Sequence, residues 1–349
     1  MYEKFFGCLE RPFDLSPNPR YLVATAAHRE ALSTLEYGIA SRKGITLLIG
    51  EAGSGKTTVI RAALERQPSR VHYVHLHNPA LTREEFVEML ARRFNLSEKA
   101  RGSKAALLLE LEELLIERQE AGETTLLVID EAQSLPTELL EEIRLLANIE
   151  TNDQKLVSVI MAGQPELSTR LNDPSLRQFK QRVALRCELR PLAPQETLAY
   201  VAGRLRAAGG ETQVFTREAV GVMHRRSKGI PRTISVIADN ALLTAFALGQ
   251  RLVTAEMVHE VCREFDIGEP RAGERAVYET VASPRPGTPV LATVVAEPSD
   301  TRLLAVEDAR TSRPLPTTES PERDRPLFSG IFTKRRRFPF FFGRDETHG

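Results

Sequence analysis

The run Ile45-Thr46-Leu47-Leu48-Ile49-Gly50-Glu51-Ala52-Gly53-Ser54-Gly55-Lys56-Thr57-Thr58 decides the fold. A short apolar stretch enters a glycine-rich turn, and a helix-forming segment over 56–67 follows. The turn fits G-x-x-x-x-G-K-[ST] with a strand before it and a helix after it, the two contextual conditions for a phosphate-binding loop. Each residue type has a physical reason. Gly50, Gly53 and Gly55 let the backbone turn tightly and aim its amides at phosphate oxygens. The start of the helix adds positive potential. Lys56 supplies a point charge for the β- and γ-phosphates, and Thr57 offers a hydroxyl to Mg²⁺. Glu51, Ala52, Ser54 and Thr58 complete the set expected around the nucleotide.

Working outward, Thr125-Leu-Leu-Val-Ile-Asp130-Glu131-Ala-Gln133 is the natural partner of that loop. A buried strand ending in two acids delivers carboxylates to the sheet edge where phosphates sit in open α/β proteins. Asp130 is expected to hold Mg²⁺ together with Thr57, and Glu131 to orient and deprotonate the attacking water. The strand over 156–162 ends in Gly163-Gln164-Pro165, so Gln164 either joins this edge or caps the next helix. Farther on, Ser227-Lys-Gly229-Ile-Pro231-Arg232 ends one helix and starts another. A cation in the first turn of a helix is poorly placed electrostatically, which points to an anionic partner for Arg232, such as the γ-phosphate.

Around these motifs the rhythm is strand and helix in alternation. Strands are expected at 45–49, 71–77, 125–129, 156–162 and 183–189, and helices at 82–94, 103–119 and 136–149. The runs are apolar throughout and separated by helices, which suits a parallel sheet covered on both faces. The leucines 107, 108, 111, 114 and 115 read as a core stripe facing the sheet. Between 194 and 265 only helical patterns occur, at 194–208, 216–226, 231–248 and 254–265. The fold class is therefore α/β, a P-loop NTPase with a five-stranded parallel sheet sandwiched by helices, an all-helical lid subdomain and a disordered C-terminal tail. The tail begins near Gly268, where Pro, Thr, Ser, Arg and Glu replace periodic apolar patterning and cannot offset the entropy of ordering.

Composition adds exclusions. Lys plus Arg (47) equals Asp plus Glu (47), so any basic surface would have to be local. Cys8, Cys187 and Cys262 form no ligand or disulfide pattern. His72, His75 and His77 share a strand, the last two sharing a face, but lack cysteine or acidic companions for a metal site. There is no leader layout at the start and no apolar run near the ~20 residues that span a bilayer, so a cytoplasmic chain is expected.

Together the phosphate loop, the Asp-Glu-Ala-Gln strand end, Gly163-Gln-Pro-Glu-Leu167 and Lys228-Gly-Ile-Pro-Arg232 resemble AAA+ ATPases of the general secretion pathway protein A type. So does the opening, Tyr2-Glu-Lys-Phe-Phe-Gly7 through Arg11-Pro-Phe-Asp-Leu-Ser-Pro-Asn-Pro-Arg-Tyr21. The resemblance covers about residues 1–265 and includes relatives linked to exopolysaccharide systems. With the composition change near Gly268, the organisation expected is an N-terminal segment and leading helix (1–43), an ATPase core (44–190), a lid (191–267) and a tail (268–349). The resemblance implies Walker A contacts from Lys56 and Thr57, a Walker B pair in Asp130 and Glu131, sensor 1 in Gln164 and sensor 2 in Arg232. It also implies an arginine reaching a neighbour's site. Arg182 is the first candidate and Arg177 the next, against the reading of both as solvated helix charges. The N-terminal segment either lines the adenine pocket or packs on the core.

The implied activity is hydrolysis of Mg·ATP by a homo-oligomer that drives or assembles an envelope machine for secretion or exopolysaccharide export. Neither the transmembrane helix nor the peptidoglycan-binding domain common in secretion members follows here, so the shorter polysaccharide-associated relatives are the better match. A DNA-transaction ATPase and a nucleotide-gated scaffold are the competing readings. Nucleic acid is not favoured, since no helix-turn-helix pattern follows the lid. The chain ends in Lys334-Arg-Arg-Arg337-Phe338-Pro-Phe-Phe-Phe342, basic residues beside aromatics that suit an anionic membrane surface or a docking peptide. The first of these would place the chain peripheral to the inner membrane.

Overall fold

Strands β1 (Ile45–Gly50), β2 (Val71–Leu76), β3 (Thr124–Ile129), β4 (Val157–Gly163) and β5 (Val183–Leu189) form one sheet in the order β2-β3-β4-β1-β5. All pairings are parallel. The computed structural model describes residues 1–67, 70–77 and 81–268. By their contacts the described residues fall within one compact unit. The tail expected beyond 268, with its basic-aromatic end at 334–342, lies outside the described residues.

The helices are α1 (Tyr2–Phe5), α2 (Ala26–Ala40), α3 (Lys56–Glu65), α4 (Arg83–Arg93), α5 (Glu98–Gly102), α6 (Lys104–Glu120), α7 (Thr137–Leu146), α8 (Pro165–Arg170), α9 (Arg177–Lys180), α10 (Pro194–Ala207), α11 (Arg217–Ser227), α12 (Pro231–Ala247) and α13 (Ala255–Glu264). Thr82, Ser103 and Thr216, expected as first helical residues, are N-caps whose hydroxyls accept from backbone amides. The short helices α5, α8 and α9 carry too few turns to show a period in sequence.

Two apolar layers flank the sheet. On one face Leu35 and Ile39 of α2 and Val59 and Ile60 of α3 pack on Leu48, Leu126, Val128 and Ile160. On the other, Leu90, Leu107, Leu111, Leu115, Leu140 and Ile143 from α4, α6 and α7 pack on Ile49, Leu127, Ile129 and Met161. Of the expected leucine stripe, Leu107, Leu111 and Leu115 are core, while Leu108 and Leu114 pack against it half-buried. Every residue of β1 and β4 is buried, as double coverage requires. The edge strands differ from expectation. In β5, Cys187 and Leu189 join the α2–α3 layer, while Ala184, Arg186 and Glu188 on the opposite face are exposed. A parallel sheet reads as continuously apolar only where helices reach both faces, and here they do not extend over that edge.

A third cluster lies in α10–α13, with Tyr200, Leu205, Met223, Ile234, Ile237, Leu242 and Val258 at its centre. Tyr2, Phe6, Cys8, Phe13 and Tyr21 belong to it as well. The N-terminal segment thus packs on the helical core cluster through these side chains, one of the two placements expected for it. Phe13 meets Phe215 edge to face at 5.9 Å, and the Tyr2 hydroxyl donates to Asp239.

Candidate functional site

The strand order sets the site. Because β4 lies between β3 and β1, the ends of three neighbouring strands present Asp130, Gln164 and the loop after Gly50 along one edge. The loop needs its glycines. Gly53 and Gly55 have φ of +78° and +98°, a region L side chains rarely enter. A Cβ on Gly50 would stand 2.6 Å from Ser54 Oγ and 3.0 Å from the Leu189 carbonyl. This is a cradle that closes around small backbone and admits no side chain, as phosphate binding demands.

Lys56, at the first position of α3, is only 4% exposed. Its Nζ donates to the carbonyls of Gly50 (2.8 Å) and Glu51 (3.1 Å). Burial lowers its pKa, and the nearby carboxylates of Glu131 and Asp130 oppose that shift. Thr57 Oγ1 donates to Asp130 Oδ2 at 2.6 Å, while Asp130 Oδ1 accepts from the Glu131 amide at 3.0 Å. A buried carboxylate and a hydroxyl held side by side are hard oxygen donors, the chemistry Mg²⁺ selects. The residues therefore fit that ion.

Glu131 follows with φ +53° and ψ +38°, the left-handed region that a non-glycine residue occupies at a cost. Its Oε2 accepts from Gln133 Nε2 at 2.6 Å and from Gln164 Nε2 at 3.4 Å. Gln164 precedes α8 without a side-chain cap bond. Of the two readings open for it in sequence, the geometry is that of a residue turned to Glu131.

A second wall faces this edge. The Arg232 amide, in the first turn of α12, donates to the Gly53 carbonyl at 3.1 Å. A Cβ on Gly53 would stand 2.6 Å from the Arg232 Cβ, so the loop and helix touch because Gly53 has no side chain. Between the walls lies a cavity of about 160 Å³, lined by Lys56, Thr57 and Glu131 on one side and Asp14–Pro17, Tyr200, Arg204 and Arg232 on the other. Larger clefts exist, but size is a poor guide here, since they lack the phosphate loop.

Lys56, Thr57, Asp130, Glu131, Gln164 and Arg232 are thus brought together. Arg182 is not. It is exposed and precedes β5, at the opposite edge of the sheet where Ile45 pairs with Val183. It lines a separate cleft of about 780 Å³ with Arg42, Glu150 and Lys155. Arg177, at the start of α9, is also exposed. Arg182 cannot serve the site of its own chain in this arrangement. His75 and His77 stack with ring centroids 3.8 Å apart, on the face they were expected to share.

Three residues escaped sequence reasoning. Arg204 is 7% exposed and donates to the carbonyls of Pro12 (2.6 Å) and Asp14 (2.5 Å) and to the Tyr200 hydroxyl (3.2 Å). Its guanidinium also lies 4.6 Å from the Tyr21 ring centroid. The available signal was its place on the apolar face of α10, one turn after Tyr200 and beside Leu205. His28 is buried, bonds Thr25 Oγ1 through Nδ1 at 2.7 Å, and lies beneath Gly55; burial pushes its pKa down. Gln133 is the third, distinguished by its contacts with Glu131 and with the Gln164 backbone amide.

A parallel α/β core with this loop, this acid pair and a helical group docked on the loop defines a P-loop ATP hydrolase. Residues 39–171 match the family described as AAA domain. Over 255 residues the chain is 43% identical to General secretion pathway protein A of Aeromonas hydrophila, the match covering 72% of this chain and 46% of that protein. The chain thus spans about half the length of that relative. Among solved structures it is similar to the ORC2 protein of Aeropyrum pernix, at TM-score 0.57 and 16% identity over 76% of this chain and 74% of that one. It is similar also to CDC6P of Pyrobaculum aerophilum, at TM-score 0.57 and 19% identity over 76% and 73%. At such identities the likeness is one of fold. The chain belongs to the AAA ATPases of the general secretion pathway protein A type. Among the described residues, no helix is long and apolar enough to cross a membrane.

Proposed function

We propose that this chain binds Mg·ATP between the sheet edge and the helical group, and hydrolyses it to drive or assemble an envelope machine of the secretion or exopolysaccharide-export kind. The observation that carries the chemistry is the half-buried Thr57 hydroxyl bonded to the buried Asp130 carboxylate, next to the buried Lys56 and one residue from Glu131. Thr57 and Asp130 would hold Mg²⁺, which when bound neutralises phosphate charge. The loop amides and Lys56 cradle the phosphates, and Glu131 takes a proton from the attacking water while Gln164 helps to orient it. Arg232, whose backbone is already anchored to Gly53, reports the state of the γ-phosphate to the helical group.

Arg182 completes the site from a neighbouring copy. What supports this is its exposure at the far edge of the sheet, where it can face outward but cannot reach its own loop. The envelope assignment rests on the name of the 43% identical relative, and it implies a cytoplasmic chain that works at the inner membrane. A homo-oligomer follows from the shared site. The fold likeness to ORC2 and CDC6P concerns architecture and assigns no nucleic-acid partner.

The test is the specific ATPase rate against protein concentration, followed by titration of wild type with Arg182→Ala. A rate that rises with concentration, and mixtures slower than the sum of their parts, are expected for a shared site. A flat rate with Arg182→Ala unimpaired would place hydrolysis within one chain and favour a nucleotide-gated scaffold. Stimulation by DNA would turn the reading to a DNA-transaction ATPase.

A further inference from the structure

The Gln133 side chain bridges two strand ends. Its Nε2 donates to Glu131 Oε2 at 2.6 Å, and its Oε1 accepts from the Gln164 backbone amide at 3.1 Å. One amide group is thus spent at both ends, with its orientation fixed by a donor on one side and an acceptor on the other. The bond to Glu131 is short, whereas the bond from Gln164 Nε2 to the same oxygen, at 3.4 Å, is at the weak end of hydrogen bonding. By geometry Gln133, more than Gln164, sets where the Glu131 carboxylate lies.

The surroundings are shaped for this bridge. A Cβ on Gly163 would come within 3.2 Å of Gln133 Oε1 and 2.6 Å of Leu167 Cδ2, so glycine at the end of β4 leaves room for the amide. Arg170, at the end of α8, holds the loop from the other side. Its guanidinium donates to the carbonyls of Gln133 (3.4 Å) and Leu135 and to Thr137 Oγ1 (3.0 Å). Glu131 needs such support because its backbone is in the left-handed region and its side chain has three rotatable bonds. With Oε2 engaged by two amides, Oε1 is the oxygen left to meet a water in the nucleotide cavity that Glu131 lines.

We infer that Gln133 is a positioning residue for hydrolysis, holding the Glu131 carboxylate in place while tying it to the turn that carries Gln164. The inference rests on the reading of Glu131 as general base. A carboxylate released from this bridge samples rotamers that point away from the water, and misplacement of about 1 Å can cost about a hundredfold in rate. Binding of ATP does not pass through Gln133, so the effect falls on turnover.

The experiment compares steady-state ATP hydrolysis, ATP binding and thermal unfolding for wild type, Gln133→Met, Gln133→Glu and Glu131→Gln. Gln133 lines a solvent-open cleft of about 620 Å³, so methionine keeps its volume without its two hydrogen bonds. Gln133→Met should lower kcat by about ten- to a hundredfold, with KM and ATP affinity within about twofold and the unfolding midpoint little changed. Gln133→Glu keeps an acceptor for the Gln164 amide but sets one carboxylate against another, and its kcat should fall further. Wild-type kcat in Gln133→Met alongside an inactive Glu131→Gln overturns the inference and leaves the general base standing. A parallel fall of kcat, ATP affinity and unfolding midpoint also overturns it, by assigning Gln133 a merely structural role. An active Glu131→Gln removes the base itself, and the inference falls with it.

Discussion

The two walls of the proposed nucleotide cavity are built in opposite ways. The sheet wall is contiguous in sequence: residues 50–58 form one loop and helix start, and 130–131 end one strand. The facing wall is assembled from pieces far apart, with residues 14–17 from the N-terminal segment, Tyr200 and Arg204 from α10, and Arg232 from α12. The sheet wall holds itself by short-range bonds, such as Lys56 to the carbonyl of Gly50. The facing wall is held by long-range ones, such as Arg204 to the carbonyl of Pro12, 192 residues away. Damage to the sheet wall should therefore remove chemistry and spare the fold, and damage to the facing wall should do both.

The largest effect is expected on the sheet wall. Lys56→Ala removes a buried cation from the loop proposed to cradle the phosphates and should lower turnover on the order of 10²–10³-fold, with an unfolding midpoint close to wild type by calorimetry. On the facing wall, Arg204→Ala leaves the carbonyls of Pro12 and Asp14 without its guanidinium, takes one of two partners from the Tyr200 hydroxyl and empties a place among aromatic rings. The expected loss of stability is about 2–4 kcal/mol, measured by urea unfolding, and it should be accompanied by weaker ATP binding. Equal stability in the two variants would erase the distinction between the walls.

Gly53 lies where the walls meet, so Gly53→Ala sharpens the comparison. Its φ of +78° alone costs about 1–2 kcal/mol for an L-residue, and the new Cβ would press on Arg232. The expected result is lost ATP affinity with a modest drop in stability. The smallest effect concerns pH. Burial and the neighbouring His77 push His75 down to about 4, and burial depresses His28 in the same direction. Between about pH 6.5 and 4 the unfolded chain binds protons that the folded chain refuses, so stability is complete above that window and declines as pH falls through it. His75→Gln should flatten part of that slope in midpoints recorded from pH 7 to pH 4.5.

The same contrast explains what could be read in the sequence. Lys56, Thr57, Asp130 and Glu131 were legible because their chemistry requires fixed spacing next to a strand end. Gln164 was half legible: the end of its strand was clear, but only the absence of a cap bond and the contact with Glu131 show which way it turns. Arg204 was hidden because an arginine in a helix reads as solvated, and the carbonyls that bury it come from the other end of the chain. Gln133 stood within a quoted motif, yet its role depends on the β3–β4 adjacency that brings Gln164 beside it. The exposed face of β5 was missed for a similar reason, since helix coverage is a property of the assembled layers.

The most direct measurement is hydrogen–deuterium exchange of the full chain with and without a non-hydrolysable ATP analogue and Mg²⁺. If nucleotide sits between the two walls, protection should rise at residues 50–58 and, together with them, at 12–23 and 229–235. Protection confined to 50–58, with the N-terminal segment and the start of α12 unchanged, would contradict a site closed by the helical group.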